Sequence, residues 1–184
     1  PLPLRYAIRR RLGGWSGVDG TFLPGFPRQM EDLQFFVNPA IVDIDGDRRM
    51  EAINSSGGFL VHAWNVDGDE PPGWPKLTGQ WVIASPSVGD LDGDGTLEVV
   101  VATRAGWLFA WHTDAPRDGT AGWVTFGHDA QRTHNYETPL PGYNAALAGV
   151  GDPVEECGCG GAGERAASGM LVAMAAVWMR RRRA

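Results

Sequence analysis

At 184 residues with a formal charge of −6, the chain holds 26 Gly, 13 Pro and 8 Trp. That composition fits a β-rich exported domain, and helical windows are few. The four terminal arginines mask part of the acidity. Without them the charge falls to −10, which argues against nucleic acid as a partner and for cations or basic surfaces.

Taken in chain order, the first feature is an incomplete repeat. Trp15 to Gly20 resembles Trp64 to Gly68, and Pro24-Gly25-Phe26-Pro27 matches Pro72-Gly73-Trp74-Pro75 at a spacing of 48. The chain opens at Pro1 in mid-repeat, without an initiator Met or a signal peptide, which predicts the C-terminal part of a longer protein.

Two clear copies follow, about 24–71 and 72–122. Pro39 matches Pro86, Trp64 matches Trp111 and Asp67 matches Asp114, all 47 apart. Such a period signals a repeat architecture. Within the first copy, Ala40 to Ile44 is apolar, Met50 to Ser55 alternates, Gly57-Gly58 is a turn, and Phe59 to Val66 is an apolar and aromatic run. The second copy repeats the order at Ser87 to Leu91, Leu97 to Thr103 and Trp107 to Thr113. A further strand near Trp74 to Val82 brings the count to about four per repeat, the size of a β-propeller blade. Gly122-Trp123 falls where Gly73-Trp74 would recur, so these tryptophans are expected in equivalent turns.

Each copy carries carboxylates at alternate positions: Asp43, Asp45, Asp47 and then Glu51; Asp90, Asp92, Asp94 and then Glu98. Alternate carboxylates on a curled loop converge on one point, and their repulsion opposes the curl unless a cation sits there. Hard divalent ions want six to eight oxygens, and the carbonyls of Arg49 and Thr96 stand at position 7 of each loop. Gly95 at position 6 permits the positive φ of a sharp turn, whereas the first copy has Arg48 there. Since each ligand set comes from one loop, the ion is expected to fix a turn rather than to activate water.

The repeats resemble FG-GAP or VCBS repeats, the blades of integrin-α-like propellers, whose loops read Asp-x-Asp-x-Asp-Gly-x-x-Asp. The resemblance implies Ca2+ as cofactor, with metal ligands Asp90, Asp92, Asp94, Thr96 and Glu98 in one loop and Asp43, Asp45, Asp47, Arg49 and Glu51 in the other. The expected fold is all-β: a partial β-propeller of about two full blades plus parts of two more, over residues 1–136.

Other residues carry less chemistry. Trp64, Trp74, Trp107, Trp111 and Trp123 read as packing between blades, with a sugar- or quinone-stacking surface as the alternative. His62 and His112 are not equivalent in the repeat and imply no repeated ligand. The segment 123–136 resembles the closing segment of such arrays, and His128-Asp129 lacks the partners a metal site would need. No nucleophile elbow, phosphate loop or His-Glu-x-x-His occurs, so a catalytic role is not expected of this chain.

Residues 137–156 read as a linker. Beyond it, Cys157-Gly158-Cys159 precedes an apolar run, 166–179, and the cluster Arg180 to Arg183. Fourteen residues of helix span about 21 Å against a hydrocarbon core of about 30 Å, a gap that local thinning and snorkelling arginines can close. The arginines set the cytoplasmic side. This order resembles the MYXO-CTERM sorting tag, which implies export, transient membrane insertion and display at a bacterial cell surface, with Cys157 and Cys159 as candidate processing or lipidation sites. Together these features predict a calcium-stabilised surface propeller that binds an extracellular protein or glycan. The alternatives are an accessory propeller of an enzyme, such as a polysaccharide lyase or peptidase, whose catalytic domain lies upstream, and a lectin-like binder.

Overall fold

A computed structural model describes residues 10–34 and 37–145. Cys157, Cys159, the apolar run 166–179 and the arginine cluster lie outside the described residues. Among the described residues the fold is all-β, in eleven strands and three sheets, and no helix is long and apolar enough to cross a membrane.

The first sheet is a short antiparallel pair, β1 (Arg10–Leu12) and β2 (Arg28–Met30). The largest sheet holds β3 (Ala40–Val42), β4 (Glu51–Ser55), β5 (Leu60–Trp64) and β6 (Lys76–Leu77) in sequence order, extended at the β3 edge by β10 (Thr120–Trp123) and β11 (Asn144–Ala145). The third holds β7 (Ser87–Gly89), β8 (Thr96–Ala102) and β9 (Leu108–Pro116).

The repeat is visible in the pairing register. Leu12 pairs with Arg28 just as Val61 pairs with Lys76, 49 and 48 residues further on. The β1–β2 pair is therefore the outer half of an earlier repeat, and both the Phe26–Pro27 and Trp74–Pro75 bonds before the last strand are cis.

Strand alternation divides the side chains between two cores, because successive residues point to opposite faces. Ala40, Val42, Ile53, Val61 and Ala63 face the third sheet and meet Val88, Leu97, Val99 and Val101. Ile41, Ala52 and Trp64 point the other way, onto Leu12 and Met30. Both faces of β3–β5 are thus buried, and each fully buried Val, Leu or Ile contributes about 1.5 to 3 kcal/mol. Among the described residues, the third sheet is covered on one face only. Leu108 and Trp107, at the start of β9, are about two-thirds exposed, so Trp107 is not a packing residue.

The structure departs from the expected blade pattern after β9. Trp74 lies in a turn, but Trp123 lies on β10, paired with Ile41 across a register shift. The end of the second repeat thus adds a strand to the first repeat's sheet. The strand expected near Trp74 to Val82 is reduced to β6 and a bridge between Val82 and Thr103. The start of the stretch read as a linker is anchored: β11 pairs with β10, and the Tyr143 hydroxyl donates to the Val88 carbonyl at 3.0 Å.

Candidate metal centres

Both carboxylate loops join the first two strands of their repeat, and they fold by one hydrogen-bond scheme. In the first, Gly46 N–H donates to Asp43 Oδ1 at 2.7 Å, Asp47 N–H to Asp45 Oδ1 at 3.1 Å, and Ile44 N–H to Glu51 Oε2 at 3.0 Å. In the second, Gly93 N–H donates to Asp90 Oδ1 at 2.7 Å, Asp94 N–H to Asp92 Oδ1 at 3.1 Å, and Leu91 N–H to Glu98 Oε2 at 2.7 Å. Backbone N–H groups thus fix the carboxylates of Asp43, Asp45 and Glu51 in one loop and of Asp90, Asp92 and Glu98 in the other.

Position 6 adopts positive φ in both copies, 72° at Arg48 and 93° at Gly95. The arginine tolerates it because Arg48 N–H donates to Asp43 Oδ2 at 2.9 Å.

Asp43, Asp45 and Glu51 each bring one oxygen within 4.8 Å of the others, as do Asp92, Asp94 and Glu98. Asp47 and Asp90 stand outside these two groups. Asp47 Oδ1 accepts the Arg49 N–H at 2.6 Å, and Asp90 Oδ2 is buried without a hydrogen bond, 3.7 Å from Arg117. The Thr96 hydroxyl and N–H both donate to Asp94 Oδ1, which holds the Asp94 carboxyl below its usual range. The Arg49 side chain pairs with Asp67.

The two loops differ in cover. The first lies on the face that packs against the second repeat, so Asp43 and Glu51 are 2% and 1% exposed. Burial pushes the Glu51 carboxyl up to about 8; the Ile44 N–H opposes this, while Asp45, Asp43 and Asp47 add repulsion. Burial also raises Asp45. An ion-free first loop carries an electrostatic cost that a cation would relieve.

The second loop opens to solvent at Asp92 and Asp94, while Glu98 stays buried. His112 on β9 completes its group. The sequence reading missed it by asking whether His112 has a histidine counterpart in the first repeat. The useful question was which residue stands across the strand pair from Glu98, and counting back from the turn between β8 and β9 gives His112.

Residues 43–101 match the family model of the FG-GAP-like repeat. The matched stretch begins at Asp43 and ends in β8, so it contains both carboxylate loops but not His112. No curated protein and no solved structure matches the chain.

His62 and His128 sit in structural networks. His62 is buried, stacked on Trp64, with Nδ1 2.8 Å from Glu70 and Nε2 2.8 Å from Glu31. Glu70 and Glu31 outweigh the opposing effect of burial and raise its pKa. His128 is buried, 3.0 Å from Asp129 and edge-on to Trp123. The Thr133 hydroxyl and His128 hold the Asp129 carboxyl far below its usual range.

Proposed function

We propose that the FG-GAP-like stretch is a calcium-stabilised part of a β-propeller, carried by an exported protein that works in adhesion or ligand binding at a bacterial cell surface. One observation carries the calcium reading: two loops 47 residues apart repeat the same hydrogen bonds and turn carboxylate oxygens onto one point. Asp43, Asp45, Asp47, the Arg49 carbonyl and Glu51 would hold one ion. Asp90, Asp92, Asp94, the Thr96 carbonyl and Glu98 would hold the other. The ion supplies positive charge that lets each loop stay curled.

The propeller reading is supported by the way the sheets stack. The face of the first repeat bearing Ile53 packs on the second repeat, and the equivalent face of the second, bearing Val100, is the one left uncovered. A following blade would cover it. The terminal order of Cys157, Cys159, apolar run and arginines supports surface sorting, with the span 166–179 inserted before processing and the arginines cytoplasmic. The bound partner would be an extracellular protein or glycan.

Isothermal titration of the chain with calcium tests the central claim. Two sites with Kd on the order of 0.1 to 1 mM are expected, as in extracellular modules. Glu51→Gln should remove one site and Glu98→Gln the other. No calcium heat in the wild type would sink the reading.

A further inference from the structure

The loops share one pattern, but the strands facing them do not. Opposite Glu51 the chain has Asn65, whose Oδ1 accepts the N–H groups of Asp67 and Asp69 at 3.0 Å each and so forms the turn that ends β5. The position opposite Glu98 is His112, in a strand that runs on to Pro116. His112 Nδ1 lies 2.8 Å from Glu98 Oε1 and 3.9 Å from Asp94 Oδ2, and its Nε2 lies 3.9 Å from Asp92 Oδ2. Glu98 is 3% exposed, and its Oε1 is buried without a hydrogen bond, because the close approach of His112 lacks the alignment of one. Two lone pairs aimed at a shared point would stand in this way.

Ion size and softness separate the two loops. Bonds of about 2.1 Å place neighbouring donors of an octahedral ion about 3.0 Å apart and opposite donors about 4.2 Å apart. With His112 Nδ1 as the nitrogen donor, its separations of 2.8 Å from Glu98 Oε1 and 3.9 Å from Asp94 Oδ2 fall within or close to that range, and one oxygen of Asp92 lies within 4.8 Å of the other donors. Calcium takes oxygen ligands, whereas imidazole with carboxylates suits first-row transition metals. The first group offers carboxylates only.

We propose that the second loop is a mixed nitrogen and oxygen site for a divalent first-row transition ion, with His112 as its nitrogen ligand beside Asp92, Asp94 and Glu98. This rests on the reading of both loops as cation sites and changes the ion at one of them. His112 is largely exposed, so water completes the coordination and the ion exchanges with solvent.

The test uses the full chain and Mn2+, since thiolates such as Cys157 and Cys159 would draw off softer ions. Pulsed electron paramagnetic resonance should show nitrogen directly bound to Mn2+. His112→Asn, which installs the residue of the first repeat, should abolish that nitrogen signal and weaken Mn2+ at this loop by about tenfold or more, with calcium affinity unchanged. An unaltered thermal midpoint in the variant, expected for an exposed residue, shows that the fold is intact. Mn2+ bound without nitrogen, nitrogen persisting in His112→Asn, or an equal loss of calcium and Mn2+ would each overturn the proposal. If both loops take calcium and no nitrogen is seen, only this inference fails; if neither loop takes any divalent ion, the calcium reading fails with it.

Discussion

Arg48 and Gly95 hold the same loop position at positive φ, and only the glycine does so without steric cost. Arg48→Gly is expected to stabilise the protein by about 1 kcal/mol, and Gly95→Ala to destabilise it by a similar amount, because no heavy atom crowds the Gly95 position and the effect is purely conformational. Urea denaturation of both variants measures the pair. His62 gives a pH dependence. Its folded pKa is raised, so its contribution is fully present below the unfolded value of about 6.5 and is lost as pH rises through the folded value. Glu51 acts in the same direction, so the two must be separated by mutation. The unfolding midpoint of the wild type should fall between pH 6 and pH 9, and His62→Gln should fall less; parallel profiles would contradict this.

Among the elements, the paired cores make β4 the most sensitive strand. Ile53 is fully buried between two sheets, and Ile53→Ala should cost about 2 to 5 kcal/mol by calorimetry. Gly25 ties the earlier half-repeat to the next one. Its N–H donates to the Val66 carbonyl at 2.9 Å, and an added Cβ would sit 2.0 Å from the backbone of Gly68. Most of this level was legible beforehand. The period placed the three strands around each carboxylate loop, β3 to β5 and β7 to β9, to within a few residues, and alternate carboxylates marked both loops, since each feature is local in sequence. Three things were not legible. The excursion of Trp123 into the first sheet is a long-range pairing with no local signal. The loss of strand between Leu77 and Val82 depends on what packs alongside. His112 depends on strand register, which a comparison of equivalent positions in the two copies does not reveal.

For the whole molecule, the proposed calcium sites and the uncovered face set what is expected of stability. At 10 mM calcium, each occupied loop with the expected affinity should add about 1.4 to 2.7 kcal/mol, removable by a chelator and visible as a shift in melting temperature. Residues 1–145 keep all three sheets yet present Trp107, Leu108 and Ile83 to water. Expressed alone they should self-associate or melt broadly, and a sharp, monomeric, cooperative transition in sedimentation and calorimetry would speak against the proposal that a neighbouring blade covers this face.

The pairing of β10 with β3 also has a consequence for how the protein is made. About 80 residues separate the two strands, so a ribosome adding 5 to 20 residues per second finishes β3 roughly 4 to 16 s before its neighbour emerges. Through that interval the nascent chain holds a bare strand edge beside a completed hairpin, open to a chaperone or to the chain on the next ribosome.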